Sequence, residues 1–154
     1  MPTIEKIEDI NVWQEARLMH KCCLPIIQKL QKYHEFRLID QVRGSTGSIM
    51  DNIAEGFERG NNKEFINFLG YAKGSNGEFR SQLYRIFDAG YITEEEFNQL
   101  FSQCVKIGSM LIKFIEFLLQ TEIRGQRHNN KLKDPSVEYG INASINYKIE
   151  FDQV

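Results

Sequence analysis

Three histidines, three cysteines and two glutamates at helical spacing are the residues of this 154-residue chain that invite a chemical reading. A carboxylate-bridged di-iron bundle needs Glu-x-x-His on facing helices, because both ligands must project one turn apart toward the same metal. His20, His34 and His128 are preceded at that distance by Arg17, Gln31 and Gly125, so the motif is missing. A phosphate-cradling loop needs Gly-x-x-x-x-Gly-Lys-Ser/Thr after a strand. Lys73-Gly74-Ser75-Asn76-Gly77 has its lysine and glycine in the wrong order and continues a helical pattern. A cysteine nucleophile needs a base and a group to orient that base. His20 is too close in sequence to Cys22 and Cys23 to face either squarely on a helix. Glu55 and Glu78 could in principle act as an acid–base pair, but no histidine or metal-ligand spacing supports them. The expectation is no catalytic residue, no metal, no cofactor and no small-molecule substrate.

What remains is polar patterning. Gln41, Ser45, Ser48, Asn52, Glu55 and Arg59 follow alternating steps of four and three residues. Asn67, Tyr71, Gly74, Glu78, Ser81 and Arg85 repeat the rhythm further on. Each stripe lies beside an apolar one, which leaves two readings open: solvated helix faces, or a partly buried polar ladder that fixes helix pairing. The candidates for such a ladder are Ser48, Asn52, Glu55, Ser75 and Glu78. Candidate contacts to nucleic acid are Arg43, Arg59, Lys63 and Lys73, followed by Arg124, Arg127, Lys131 and Lys133.

The elements that must carry these residues are helical. Trp13, Ala16, Met19, Cys23, Ile26 and Leu30 trace one face of a helix over 11–32, with Pro25 inside it to kink or divide it. A second helix over 35–59 carries Ile39, Val42, Thr46, Ile49, Ile53 and Phe57. Its centre, Gly44-Ser45-Thr46-Gly47-Ser48, is a poor helix former and suits the close approach of another backbone. Asn61, with Glu64 three residues on, opens a third helix whose apolar face is Phe65, Phe68, Ala72, Ser75, Phe79, Leu83 and Ile86. Gly90 closes it, and Thr93 with Glu96 forms a capping box for a fourth helix reaching about residue 123.

The fourth helix carries more apolar surface than a one-sided helix needs. One seam is Phe97, Leu100, Cys104, Leu111, Phe114 and Leu118. A second, beside it, is Phe101, Val105, Ile112, Ile115 and Leu119. In a bundle of four helices no position is enclosed on all sides, so the second seam points to self-association. Connections of two to four residues make successive helices antiparallel. The fold expected is all-α, an antiparallel up-down-up-down four-helix bundle over residues 1–123, followed by an extension over 124–154. That extension opens with the basic block Arg124–Lys133. It continues with strict alternation from Val137 through Tyr139, Ile141, Ala143, Ile145, Tyr147 and Ile149 to Phe151, the period of a strand. Such a segment would form a hairpin, pair with another chain, or remain disordered.

Nineteen Lys and Arg against 21 Asp and Glu give a formal charge of −2. The balance argues against a strongly basic nucleic-acid clamp and against an acidic disordered chain. No run approaches the roughly 20 apolar residues of a membrane span. Residues 1–6 have no apolar signal region, so reduced thiols in the cytoplasm are expected.

Gln41-Val42-Arg43, Ser48-Ile49 and Asn52-Ile53-Ala54-Glu55-Gly56 resemble a known family pattern, together with Val12-Trp13-Gln14 near the start. So do Phe65, Phe68-Leu69, Ala72, Gly74-Ser75 and Glu78, followed by Gly90-Tyr91-Ile92. The set, spanning about Ile10 to Leu119, is similar to the four-helix-bundle proteins encoded in 23S rRNA intervening sequences, a family also called S23 ribosomal proteins. It is similar too to the accessory variability determinant of diversity-generating retroelements. The resemblance implies a barrel-like homopentamer without enzymatic activity. In the retroelement relatives, a markedly basic surface binds nucleic acid and the reverse transcriptase. The function expected is therefore a homo-oligomeric scaffold or accessory factor for RNA, DNA, a ribonucleoprotein or a reverse transcriptase. The alternative is a protein-interaction module that uses the strand-patterned tail and binds no nucleic acid.

Overall fold

The computed structural model describes residues 3–123 together with 132, 134 and 135. A short 3₁₀ turn, Ile7–Asp9, leads into four helices: α1 Asn11–Lys32, α2 Phe36–Glu58, α3 Asn62–Asp88 and α4 Glu94–Ile123. They form an antiparallel up-down-up-down bundle in which α1 packs on α2, α2 on α3 and α3 on α4, and α1 closes the ring against α4. The described residues contain no β-strand. The basic block Arg124, Arg127, Lys131 and Lys133, and the alternating pattern from Val137 to Phe151, lie outside the described residues.

The local signals act as their chemistry requires. The Asn61 side chain accepts from the amides of Lys63 and Glu64, capping α3. Gly90 takes φ +76° after α3, a backbone conformation that costs glycine nothing. Thr93 and Glu96 exchange hydrogen bonds across the first turn of α4, at 2.8 and 3.2 Å. Lys29, and next the Thr93 amide, hold the Glu96 carboxyl below its ordinary pKa.

The core runs the length of the bundle. α4, 30 residues and about 45 Å long, contributes Phe97, Leu100, Cys104, Ile107, Leu111, Phe114 and Leu118, all buried. Opposite them lie Met19, Leu30, Ile49, Ile53, Leu69 and Leu83. An aromatic cluster gathers on Phe97, which meets Tyr84, Phe87 and Phe101 at centroid distances of 5.1, 4.9 and 5.6 Å.

Four sequence expectations need correction. Pro25 does not divide α1, because it sits on the exposed side and removes one backbone bond from a helix that the core holds on its other face. Leu69, not Phe68, occupies the core position of α3. Phe68 turns toward α2, where the Arg59 guanidinium lies 5.0 Å from its ring centroid. Within the chain the close approach on α2 is at Gly56; a Cβ at Gly44 or Gly47 would meet nothing of this chain within 4 Å. The second α4 seam is not one environment either. Phe101 is buried, Val105 and Ile115 are half-buried, and Ile112 and Leu119 are 41% and 43% exposed.

The residues beyond α4 that the structure describes return to the start of the chain. Leu132 O accepts the Ile4 amide at 2.8 Å, and Asp134 Oδ2 accepts the Asn11 amide at 2.8 Å.

Candidate functional site

The polar stripe of α2 faces α3 and is knitted to it over most of its length. Near the top, Arg85 Nη2 donates to Gln41 Oε1 at 2.9 Å. One turn down, the Ser45 hydroxyl donates to Gln82 Oε1 at 2.7 Å, with both residues buried. Next, the Ser75 hydroxyl donates to Ser48 Oγ at 2.9 Å, and Asn52 Nδ2 donates to that same oxygen and to Ser48 O, at 2.9 and 2.8 Å. Below these, Gly56 lets Phe65 and Phe68 press against the α2 backbone. At the foot, Arg59 bridges Glu55 at 2.7 Å and Glu64 at 3.2 Å. Hydrogen bonds to Glu55 and then to Glu64 raise the guanidinium pKa further above its ordinary value.

Of the ladder candidates, the structure brings Ser48, Asn52 and Ser75 together and leaves two out. Glu55 and Glu78 are exposed, because they lie on the solvent edges of their stripes. Glu55 is committed to Arg59, and the two carboxylates do not form a buried acid–base pair. Sequence reasoning missed Gln82, although it stands seven residues, two turns, beyond Ser75. It missed two further polar contacts as well. His20 Nδ1 lies 2.8 Å from Thr46 Oγ1, whose own proton goes to Val42 O at 2.7 Å. The hydroxyl therefore accepts, and Nδ1 carries the imidazole proton. Asn76 donates to Cys104 O at 2.9 Å across the α3–α4 interface, while its buried Oδ1 has no partner.

The candidate cations are placed as follows. Arg43, Lys63 and Lys73 are exposed, and Arg59 is held by its two carboxylates. Burial pushes the Cys104 thiol up to about 12 and raises Cys23 as well, which keeps both protonated. Among the described residues no group of three His, Cys, Asp or Glu side chains could hold a metal ion. No helix among them is long and apolar enough to cross a membrane. A shallow groove of about 450 Å³ lies over the upper seam, floored by Ser45 and Gln82 and flanked by Gln41, Glu78, Ser81 and Arg85.

This arrangement fixes register. Sliding α3 by one turn against α2 would part the buried Ser45 hydroxyl from the Gln82 carbonyl, at up to about 1–3 kcal/mol for each group left unsatisfied. Ser45→Ala is expected to cost about 1–3 kcal/mol for the same reason, because it orphans Gln82 Oε1. Ser45→Ala with Gln82→Leu should recover most of that loss in urea unfolding. A double variant no more stable than the single one would contradict the pairing.

Fold and seam together define an antiparallel four-helix bundle whose α2 and α3 are joined by a run of paired polar side chains. Within that class the chain belongs to the 23S rRNA-intervening sequence protein family, whose model matches residues 8–113. A similar solved structure is the crystal structure of a protein of unknown function from the S23 ribosomal protein family of Bacteroides thetaiotaomicron. It shares 24% identity with a TM-score of 0.65, over 68% of this chain and 98% of that one. No curated protein matches the chain.

Proposed function

We propose that this chain is a self-associating helical scaffold without catalysis of its own, acting as an accessory factor to an RNA or ribonucleoprotein. The observation that carries the reading is the uncovered side of α4. Ile112 and Leu119 stand exposed beside half-buried Val105 and Ile115, a stripe that a second copy of the chain would cover. Helix-interior glycines support it. Gly44, Gly47, Gly70, Gly74 and Gly77 each have open space where a Cβ would be, and each costs its helix about 1 kcal/mol relative to alanine. Surfaces kept this low suit the close approach of another helix. Five copies is the number that the resemblance implies, and the family name suggests the RNA context. A ring would repeat Arg43, Lys63 and Lys73 by symmetry, so that weak single contacts add.

Light scattering at micromolar concentration tests the assembly directly. An oligomer is expected for the native chain and a smaller species for Ile112→Glu with Leu119→Glu; a native monomer would overturn the reading. Titration with structured RNA at low salt tests the second half. Binding should fall steeply with added salt and weaken in Arg43→Glu with Lys73→Glu. An oligomer that binds no RNA at low salt would leave a scaffold for protein partners alone.

A further inference from the structure

Helix α1 begins without a cap of its own. The residue at its N-cap position is Ile10, whose side chain accepts no hydrogen bond, and no acid follows in the first turn. The leading amides of a helix need acceptors from somewhere. Here the acceptor comes from 123 residues away: Asp134 Oδ2 takes the Asn11 amide at 2.8 Å, and Asp134 is only 2% exposed. A carboxylate buried this deeply is tolerable because it is hydrogen-bonded and sits at the positive end of a helix dipole. The same segment has a second anchor, Leu132 O on the Ile4 amide, with Leu132 packed on the core and Pro135 buried. Leu132, Asp134 and Pro135 lie beyond residue 113, where the family match ends.

We propose that Leu132, Asp134 and Pro135 form a releasable strap that caps α1 from the far end of the chain. Closed, the strap supplies the missing N-cap. Open, it leaves the first turn of α1 uncapped. Its holds on the bundle are local, so it opens at a lower free energy than the four helices unfold. A ligand that binds only the open strap would therefore loosen the first turn of α1, and firmer capping would weaken that ligand by the same factor. The inference rests on the two anchors and stands whether or not the chain self-associates or meets RNA.

Hydrogen exchange on the full chain tests it, with trypsin cleavage between Lys131 and Leu132 as a second readout. In Asp134→Ala the amides from Asn11 to Gln14 should exchange roughly fivefold faster, the usual consequence of a lost cap. Cleavage should accelerate by a similar factor, while amides around Ile49 and Leu83 stay unchanged. Asp134→Asn keeps a side-chain acceptor and should remain within about twofold of the native chain. Unchanged exchange at Asn11–Gln14 in Asp134→Ala would overturn the cap. Equal acceleration through all four helices would overturn the release, since Asp134 would then support the whole fold at once.

Discussion

Phe97→Ala is expected to destabilise the bundle by about 3–5 kcal/mol, a large part of the roughly 5–15 kcal/mol that holds a typical domain folded. Phe97 is fully buried in the first turn of α4 and touches three other rings. Tyr84 and Phe101 lie at 5.1 and 5.6 Å, and Phe87 at 4.9 Å. Truncation removes the transfer free energy of the ring and leaves a cavity lined by its former partners. Those partners cannot collapse into it freely. Tyr84 and Phe87 stand on α3, and the Arg80 guanidinium, 5.1 Å from the Phe101 ring centroid, covers that ring from outside. Each lost aromatic pair adds about 0.5–1.5 kcal/mol beyond area burial. Urea unfolding should show a lower midpoint with an unchanged slope, the mark of a stability change without a change in the surface exposed. Phe97→Leu, which fills part of the space, should cost less than half as much. A midpoint shift no larger than that of an exposed position such as Asn98 would contradict the packing described.

The helices could be read from the sequence because each carries its own boundary chemistry. Asn61, Gly90 and the Thr93–Glu96 box act within three or four residues of where they stand, so local spacing suffices. The seam was legible as rhythm and not as contact. The stripe through Ser45, Ser48 and Asn52 is visible on a helical wheel, but a stripe has two edges, and only the packing decides which edge is wet. Glu55 and Glu78 fell on the wet edge. Gln82 looked like an ordinary surface amide until the register placed it across from Ser45. The strap was the least legible, because a cap is sought among neighbours and Asp134 lies at the other end of the chain. The local signal misleads as well: Asp9 and Asn11 flank Ile10 as cap candidates, but the Asp9 carboxylate turns back to the amides of Glu5 and Lys6. Exposure of Ile112 and Leu119 was beyond local patterning for another reason. Period shows that a residue is apolar and on a given side, whereas exposure depends on which neighbours exist.

Gly56→Ala should destabilise the fold by about 2 kcal/mol, although alanine is the better helix former by about 1 kcal/mol. A Cβ at this position would stand 2.6 Å from Phe68 Cβ, 2.8 Å from Phe65 Cδ2 and 3.4 Å from Phe65 Cα. Two of those atoms are backbone or fixed to it, so a side-chain rotation cannot relieve the clash and α2 must move away from α3. That movement would stretch the hydrogen bond from Ser75 to Ser48, which crosses between the two helices and ties the cost to the polar seam. Gly44→Ala, on the same helix, is expected to do the opposite. Its Cβ meets nothing within 4 Å, so the bundle gains most of the propensity difference, about 1 kcal/mol. The sign of one chemical change thus inverts over 12 positions of a single helix, which propensity alone cannot produce. Urea unfolding of both variants checks the contrast, and a Gly56→Ala chain as stable as the native one would remove the close approach. If self-association uses the low surface at Gly44, Gly44→Ala should also weaken the oligomer while it stabilises the chain. The stretch Asn52-Ile53-Ala54-Glu55-Gly56 then acts as a packing device: Asn52 holds the Ser48 hydroxyl that Ser75 reaches, Ile53 fills the core, and Gly56 lets α3 come near.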